Sequence, residues 1–168
     1  MALSSLTFNI ATADVLKITD TEITALLTQV YVGGGFTTPD EAASLFEPSA
    51  VRRRGILIGG REKTSQALAG MIIVVPPDSP ARRLIESRGA ELHLLGVKPE
   101  YRRHGLGRLL IQAAIEQAIY LNFRKVSLWT QVTMTSAQKL YELSGFVHVR
   151  NLEKNGRQFK VYERGSVA

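Results

Sequence analysis

The 168-residue chain contains no cysteine and no long apolar run. The lack of cysteine excludes disulfides, thiolate metal sites and a cysteine nucleophile, and it suits a reducing compartment. No apolar stretch approaches the roughly 20 residues that a membrane-spanning helix needs, and residues 1–5 lack the pattern of a signal peptide. We therefore expect a cytoplasmic protein without a membrane partner or bound metal, folded as a single domain over residues 1–168.

The chain has an excess of positive charge. Its 21 Lys and Arg residues against 15 Asp and Glu residues give a net charge of +6, which favours an anionic partner without naming one. The basic residues form short clusters with few aromatic residues between them, unlike a nucleic-acid-binding face. The sequence therefore argues against nucleic acid, and it leaves a homodimer open.

Apolar periodicity and turn residues predict the element order β-α-α-β-β-β-α-β-α-β-β. This order indicates an α/β (mixed α+β) fold, with a central mixed sheet flanked by helices. The turn Asn155-Gly156 predicts a closing hairpin. Capping boxes, in which a threonine is followed three residues later by Glu or Gln, predict the starts of three helices: Thr19 with Glu22, Thr38 with Glu41, and Thr135 with Gln138.

The stretch from Ala90 to Arg108 predicts a buried strand, a turn and the start of a long helix. Gly105 and Gly107 lie where that helix begins, so nearby backbone N–H groups have no intrahelical partner and are free to bind an anion. Arginine and histidine side chains around them add positive charge. The loop therefore suits a compact anion such as a pyrophosphate, although a turn that only caps the helix has the same pattern.

Glu91 and His93 place ionisable groups in this otherwise apolar strand. Period-two alternation predicts that Glu91, His93, Leu95 and Val97 share one face. Ionisable groups are costly in a buried strand unless they meet water, a partner or a substrate. Glu91 is thus either a salt-bridged carboxylate or a functional group, and His93 is either a hydrogen-bonded core histidine or a functional group.

Two motifs resemble those of the GNAT superfamily of N-acetyltransferases. The segment 102–107, Arg-Arg-His-Gly-Leu-Gly, is similar to the family's coenzyme A pyrophosphate loop, and the segment 137–146 is similar to its Ala-x-x-Leu-Tyr-x-x-x-Gly-Phe signature. The strongest resemblance covers residues 90–147. It implies an acetyl-CoA-dependent N-acetyltransferase whose primary-amine substrate attacks the thioester directly. The alternative is a non-catalytic acyl-CoA-binding regulatory module on the same fold.

The resemblance also implies which residues bind acetyl-CoA. The central strand would offer backbone groups to the pantetheine arm, with Gly96 allowing close approach, and the glycine loop would bind the pyrophosphate. The implied set is Leu95, Gly96, Val97, Arg102, Arg103, His104, Gly105, Leu106, Gly107, Arg108, Ala137 and Tyr141. Substrate selectivity would come from the first two helices and from the long connection Pro76 to Gly89.

The implied chemistry needs a base and an acid. An ammonium substrate must lose a proton before it attacks, and either Glu91 or His93 would accept that proton, directly or through water. Tyr141 would protonate the departing thiolate, unless it is only a core aromatic residue. Met134 stands where many family members carry asparagine, so that amide's hydrogen bonds are absent or are made by a neighbouring hydroxyl: Thr133, Thr135 or Ser136.

Overall fold

A computed structural model describes residues 5–84 and 89–165. Within these ranges the strands are β1 (Phe8–Thr12), β2 (Ile56–Glu62), β3 (Leu68–Val75), β4 (Gly89–Val97), β5 (Lys125–Gln131), β6 (Val147–Lys154) and β7 (Arg157–Gly165). The α-helices are α1 (Ala13–Leu16), α2 (Asp20–Leu27), α3 (Pro39–Leu45), α4 (Pro48–Arg53), α5 (Leu106–Tyr120) and α6 (Thr135–Leu143). A π-helical turn at Thr28–Val32 continues α2, and a 3-10 turn at Pro99–Tyr101 follows β4.

The predicted element order is confirmed, with two additions. Helices α1 and α4 have 4 and 6 residues, which is too short for the sequence to display an apolar stripe. The predicted connection from Pro76 continues without regular structure to Leu84. Its residues 85–88, with Glu86, lie outside the described part of the chain. No helix among the described residues is long and apolar enough to cross a membrane.

The strands form one seven-stranded sheet in the order β1-β2-β3-β4-β5-β7-β6. The pairing between β4 and β5 is parallel, and the other recorded pairs are antiparallel. That parallel pairing ends at Glu91 opposite Ser127, whereas β4 continues to Val97 and β5 to Gln131. The two central strands therefore diverge and leave a gap in the sheet.

Apolar clusters cover both faces of the sheet. On one face α5 buries an apolar stripe that includes Leu110 and Ala114. On the other face α2 buries Ile23, Leu26 and Leu27. Each fully buried leucine or isoleucine stabilises the fold by roughly 1.5–3 kcal/mol. Helices on both faces thus hold the diverging central strands in place.

The predicted capping boxes have different outcomes. The boxes of Thr19 and Thr38 are confirmed. Each threonine hydroxyl accepts a hydrogen bond from the backbone N–H three residues later, and the glutamate carboxylate at that position accepts one from the backbone N–H of the threonine. The third prediction is wrong. Thr135 is the first helical residue of α6, and the Gln138 amide donates to the carbonyls of Gln131 and Val132, at 3.1 and 3.0 Å. Gln138 therefore ties α6 to the end of β5.

A β-bulge at Leu94 changes the direction of side chains along β4. Leu94 has a positive φ of 53°, and the register with β3 shifts between His93 and Gly96. His93 and Glu91 pair with Ile73 and Val75, whose side chains belong to the α2 face. Leu95 and Val97 pack instead on the α5 face. The prediction that these four β4 side chains share one face is therefore wrong, because one extra residue inverts the alternation.

Candidate functional site

A cleft of about 240 Å³ lies where β4 and β5 diverge. Its walls come from β4, from the end of β5 and the start of α6, from the segment between α2 and β2, and from the β6–β7 hairpin. The residues that line it include Tyr31, Arg54, Arg83, His93, Leu94, Leu95, Trp129, Thr130, Met134, Ala137, Tyr141, Lys154 and Arg157. Five predicted site residues are therefore close to the cleft: His93, Leu95, Ala137 and Tyr141 line it, and Glu91 contacts His93.

The glycine loop at the start of α5 has the backbone form of an anion site. Arg103 and Gly105 have positive φ angles of 65° and 80°, and Leu109 N–H donates to the Gly105 carbonyl at 3.1 Å. The N–H groups of the first helical turn precede this bond, and no side chain caps them. Arg103, His104 and Arg108 are exposed around the loop. An oxyanion at this position would meet free donors and positive charge.

Three loop residues also make contacts within the protein, beside the cofactor-binding role that the resemblance implies. The Arg102 guanidinium donates through Nε to the Val97 carbonyl at 3.0 Å, so it braces the strand end. The Leu106 side chain is buried in the core, which leaves only its backbone for a ligand. A Cβ on Gly107 would lie 2.7 Å from Leu140 Cδ2, so close packing of α5 on α6 requires this glycine.

The β4 edge that faces the gap offers backbone groups. Beyond Glu91 this edge has no recorded partner in β5, so an extended ligand could bind along it as an added strand. The Tyr31 hydroxyl already donates to the Leu95 carbonyl at 2.9 Å, and a carbonyl oxygen has a second lone pair. A Cβ on Gly96 would lie 3.1 Å from Leu26 Cδ2, so this glycine also lets α2 pack closely on β4.

Glu91, His93 and Arg54 form a buried chain of hydrogen bonds. The Arg54 guanidinium lies 3.2 Å from His93 Nδ1 through its Nη1, and because guanidinium is only a donor, Nδ1 must be the acceptor. His93 Nε2 therefore carries the proton and donates to Glu91 Oε2 at 2.7 Å. Glu91 also accepts from the backbone N–H groups of Arg83 and Leu84. These contacts fix one tautomer of a neutral imidazole.

The pKa values of His93 and Glu91 are both lowered, although burial acts on the two groups in opposite directions. Burial lowers the pKa of His93, and the nearby Arg54 and Arg83 charges lower it further, against the opposing effect of Glu91. Burial opposes ionisation of Glu91, but hydrogen bonds from His93 and from the two backbone N–H groups outweigh it and lower the pKa of Glu91. At neutral pH the pair is therefore a carboxylate beside a neutral histidine.

Tyr141 lies on the opposite wall of the cleft. Its side chain is buried, its ring contacts Phe146 and Tyr162, and burial raises the pKa of its hydroxyl above the ordinary value. The hydroxyl therefore stays protonated at neutral pH. Tyr141 thus combines the packing of a core aromatic residue with a position at the cleft.

Met134 also lines the cleft, and the Thr130 hydroxyl donates to its sulfur at 3.5 Å. Thr133, Thr135 and Ser136 are exposed, and none of them is in the cleft lining. The expected substitution of these hydroxyls for the family asparagine therefore has no support in the geometry. Thr130 is the cleft residue whose hydroxyl contacts Met134.

Sequence reasoning missed several cleft residues. Tyr31 and Trp129 lie in apolar segments that predict only core packing, and Arg54 ends a run of three arginines without a distinguishing pattern. Arg83 lies in the long connection from Pro76 to Gly89, where no sequence pattern distinguishes it. Ser127 lies opposite Glu91 in the sheet, and its buried hydroxyl has no hydrogen-bond partner among the described residues. These positions become visible only when distant segments are brought together.

Within the described residues, no three His, Asp or Glu side chains cluster as metal ligands. The histidine of the cleft instead has an arginine and a glutamate as its partners.

Curated proteins and solved structures give a consistent set of relatives. The chain is 33% identical over 79 residues to N-acetyltransferase family 8 member 3 of Rattus norvegicus, covering 47% of this chain and 33% of that protein. It is 36% identical over 78 residues to human N-alpha-acetyltransferase 30, covering 46% of this chain and 20% of that protein. The chain thus matches a third or less of the length of these two relatives.

Two solved structures share the fold. An acetyltransferase of the GNAT family from Staphylococcus aureus Mu50 has a TM-score of 0.74 at 16% identity, covering 96% of this chain and 100% of that one. The ribosomal-protein-S18-alanine N-acetyltransferase of Escherichia coli has a TM-score of 0.69 at 15% identity, covering 96% of each chain. A family model described as the acetyltransferase (GNAT) family matches residues 21–146. The chain therefore belongs to the GNAT acetyltransferase family.

Proposed function

We propose that the protein is an N-acetyltransferase that moves an acetyl group from acetyl-CoA to a primary amine. The observation that carries this proposal is the gap between β4 and β5, which runs from the glycine loop towards His93 and Tyr141. Such a gap suits an extended cofactor with an anionic end at the loop and a reactive end at the cleft. Family membership supports the same class of reaction.

The residues present fit the proposed cofactor. Backbone N–H groups at the start of α5, with Arg103 and Arg108, would hold the pyrophosphate. The open edge of β4 at Leu95 and the α6 residue Ala137 would border the pantetheine arm. When bound, acetyl-CoA supplies an acetyl group activated as a thioester.

His93 is the better of the two proposed bases. It lines the cleft, whereas Glu91 is absent from the cleft lining and already accepts hydrogen bonds from His93, Arg83 N–H and Leu84 N–H. His93 Nδ1 would take the proton of the ammonium group once Arg54 moves away from it, directly or through a water molecule. Glu91 would act as a positioning residue that holds the imidazole and stabilises its protonated form.

Tyr141 would complete the proton balance. The amine nitrogen forms a bond to the acetyl carbon, the carbon–sulfur bond breaks, and the sulfur leaves with its electron pair. The Tyr141 hydroxyl would donate its proton to that thiolate, and the nitrogen would lose its second proton as the amide forms, which restores the tyrosine hydroxyl. Its raised pKa keeps it protonated until the thiolate forms.

The test combines binding and turnover. We expect calorimetry to detect saturable acetyl-CoA binding, and thiol release to depend on an amine from a panel of small amines and N-terminal peptides. Tyr141→Phe should keep acetyl-CoA binding and lose roughly 10²-fold or more in kcat. Tyr120→Phe is the matched control, because Tyr120 is 80% exposed on α5.

The two assays separate the alternatives. Binding without thiol release from any amine would favour the acyl-CoA-binding module and reject the enzyme. Absence of acetyl-CoA binding would reject both the enzyme and the acyl-CoA-binding module. Full activity in Tyr141→Phe would reject the acid role of this residue alone.

A further inference from the structure

The charged side chains that line the cleft all carry positive charge. They are Arg54, Arg83, Lys154 and Arg157, and the described residues of the lining include no Asp or Glu. Arg157 is neutralised, because it forms an ion pair of 3.0 Å with Glu41 on α3. The other three face a cleft that contains no described carboxylate. A substrate that is only an amine would bring a further positive charge into this cleft.

Arg54 is the most buried of these cations. Its guanidinium donates to His93 Nδ1 at 3.2 Å and to the Leu45 carbonyl at 3.3 Å, and both of these acceptors are neutral. Arg83 contributes its backbone N–H to Glu91, while its side chain has no carboxylate partner among the described residues. Burial, and then the charge of Arg83, lower the pKa of Arg54. The two guanidinium groups therefore repel each other.

Arg54 is partly buried, whereas Arg83 is exposed. Two neighbouring cations without a carboxylate partner are unfavourable where one of them is partly buried. A carboxylate between them would offset the repulsion and the lost hydration of Arg54, and guanidinium groups bind carboxylates through paired, charge-assisted hydrogen bonds. Such a bond is stronger than the present one from Arg54 to neutral His93. A bound carboxylate would therefore draw Arg54 away and free the Nδ1 lone pair.

This cation pair is separate from the loop that would bind the cofactor phosphates. Arg83 contacts Glu91 near the start of β4, and the glycine loop follows the end of β4 at Val97. The six residue steps from Glu91 to Val97 correspond to roughly 20 Å of strand. An anion held by Arg54 and Arg83 would thus lie on the far side of His93 from the cofactor pyrophosphate.

We propose that the acceptor is an amine that also carries a carboxylate, bound by Arg54 and Arg83 beside His93. This inference rests on the proposed acetyltransferase function and names its substrate class. The carboxylate belongs either to a free amino acid or to an acidic residue next to a peptide N-terminus. Both sources share the chemistry that the two arginines recognise.

The test compares acceptors that differ only in this charge. At saturating acetyl-CoA, thiol release is measured for free amino acids against their carboxamides, and for Ala-Asp against Ala-Asn N-terminal peptides with amidated C-termini. We expect kcat/KM to be about tenfold to a hundredfold higher for the carboxylate member of one series. Whichever series shows the preference identifies the source of the carboxylate.

Arg83→Gln should lower kcat/KM for the carboxylates far more than for the carboxamides, so the ratio within the preferred series should fall to about one. Arg53→Gln removes the same charge from an exposed neighbour of Arg54 that is absent from the cleft lining, and it should keep the preference. Equal kcat/KM values within both series, or a preference that survives Arg83→Gln, would overturn the inference while the acetyltransferase function stands.

A binding measurement decides the inference without turnover. Calorimetry in the presence of CoA compares N-acetyl amino acids with their carboxamides, and N-acetyl-Ala-Asp with N-acetyl-Ala-Asn peptides that have amidated C-termini. Tighter binding of the carboxylate member of either pair that Arg83→Gln abolishes would support the site, and equal binding within both pairs would overturn it. Failure of every amine in the release assay would count against the proposed function, and this binding comparison would still decide the anion site.

Discussion

Replacement of Glu91 by glutamine tests the buried hydrogen-bond chain most directly. The substitution keeps the size of the side chain and replaces one acceptor oxygen with an NH2 donor. If this donor faces His93, the imidazole must move its proton to Nδ1, where it would oppose the donor Nη1 of Arg54 at 3.2 Å. If it faces the loop, it opposes the N–H groups of Arg83 and Leu84. In either orientation, at least two hydrogen-bond donors therefore face each other without an acceptor between them.

The expected cost follows from these contacts. An unsatisfied buried donor costs about 1–3 kcal/mol, and hydrogen bonds to a charged acceptor lose strength when the charge is removed. We expect Glu91→Gln to lower the free energy of unfolding by about 3 kcal/mol, which corresponds to a fall in Tm of about 6–12 °C for a chain of this size. Loss of the positioned imidazole should lower kcat by about 100-fold.

Urea unfolding at pH 7 and thiol release measure the two effects on the same protein. Glu116→Gln is the matched control, because Glu116 is exposed on α5 and bonds only to Gln112 in the described hydrogen bonds; its change in stability should stay within about 0.5 kcal/mol. A Glu91→Gln protein with the stability and the kcat of this control would refute the directed chain from Arg54 to Glu91.

Two further predictions concern pH. Burial and the charge of Arg54 lower the pKa of His93. Arg54→Gln should therefore raise this pKa and move the acid limb of the pH profile of kcat/KM to higher pH, while Arg53→Gln leaves that limb in place. An acid limb that does not move in Arg54→Gln would contradict the role of His93 as the base. Hydrogen bonds from Arg61 outweigh burial and lower the pKa of Glu22 to about 2. Because this folded pKa lies below the unfolded value of about 4.3, the stabilisation is complete above that value and is lost as pH falls towards 2. Glu22→Gln should therefore cost about 1 kcal/mol at pH 7, after allowance for solvent screening, and clearly less near pH 2, where the carboxyl is partly protonated in the folded protein. Urea unfolding that shows the same deficit at both pH values would contradict the ion pair.

The sequence predicts those elements whose signals are local. The boxes of Thr19 and Thr38 begin helices because cap and partner are three residues apart. Asn155 and Gly156 adopt the positive φ angles, 52° and 74°, that a hairpin turn of this type requires. Gly105, which precedes α5, has a left-handed conformation that glycine adopts without strain. In each case a few neighbouring residues determine the conformation.

The rest depends on contacts between distant segments. Arg54 reaches His93 over 39 residues of sequence, and Tyr31 reaches Leu95 over 64, so no local pattern reveals either contact. The prediction for Thr135 fails because Gln138 finds stronger partners in the carbonyls at the end of β5. Recognition of the two motifs located Tyr141 and the glycine loop, but it did not reveal the charge of the cleft.

The bulge at Leu94 explains how one strand can serve two binding functions. Before the bulge, Glu91 and His93 face the α2 side, where Arg54 can reach the imidazole. After it, Leu95 and Val97 pack on the α5 side, below the loop that would hold the cofactor. Regular alternation would have directed all four side chains to one face, leaving the α5 core without two apolar contacts. Since β4 loses its β5 partner in the same region, the extra residue separates the proposed acceptor half of the strand from the proposed cofactor half.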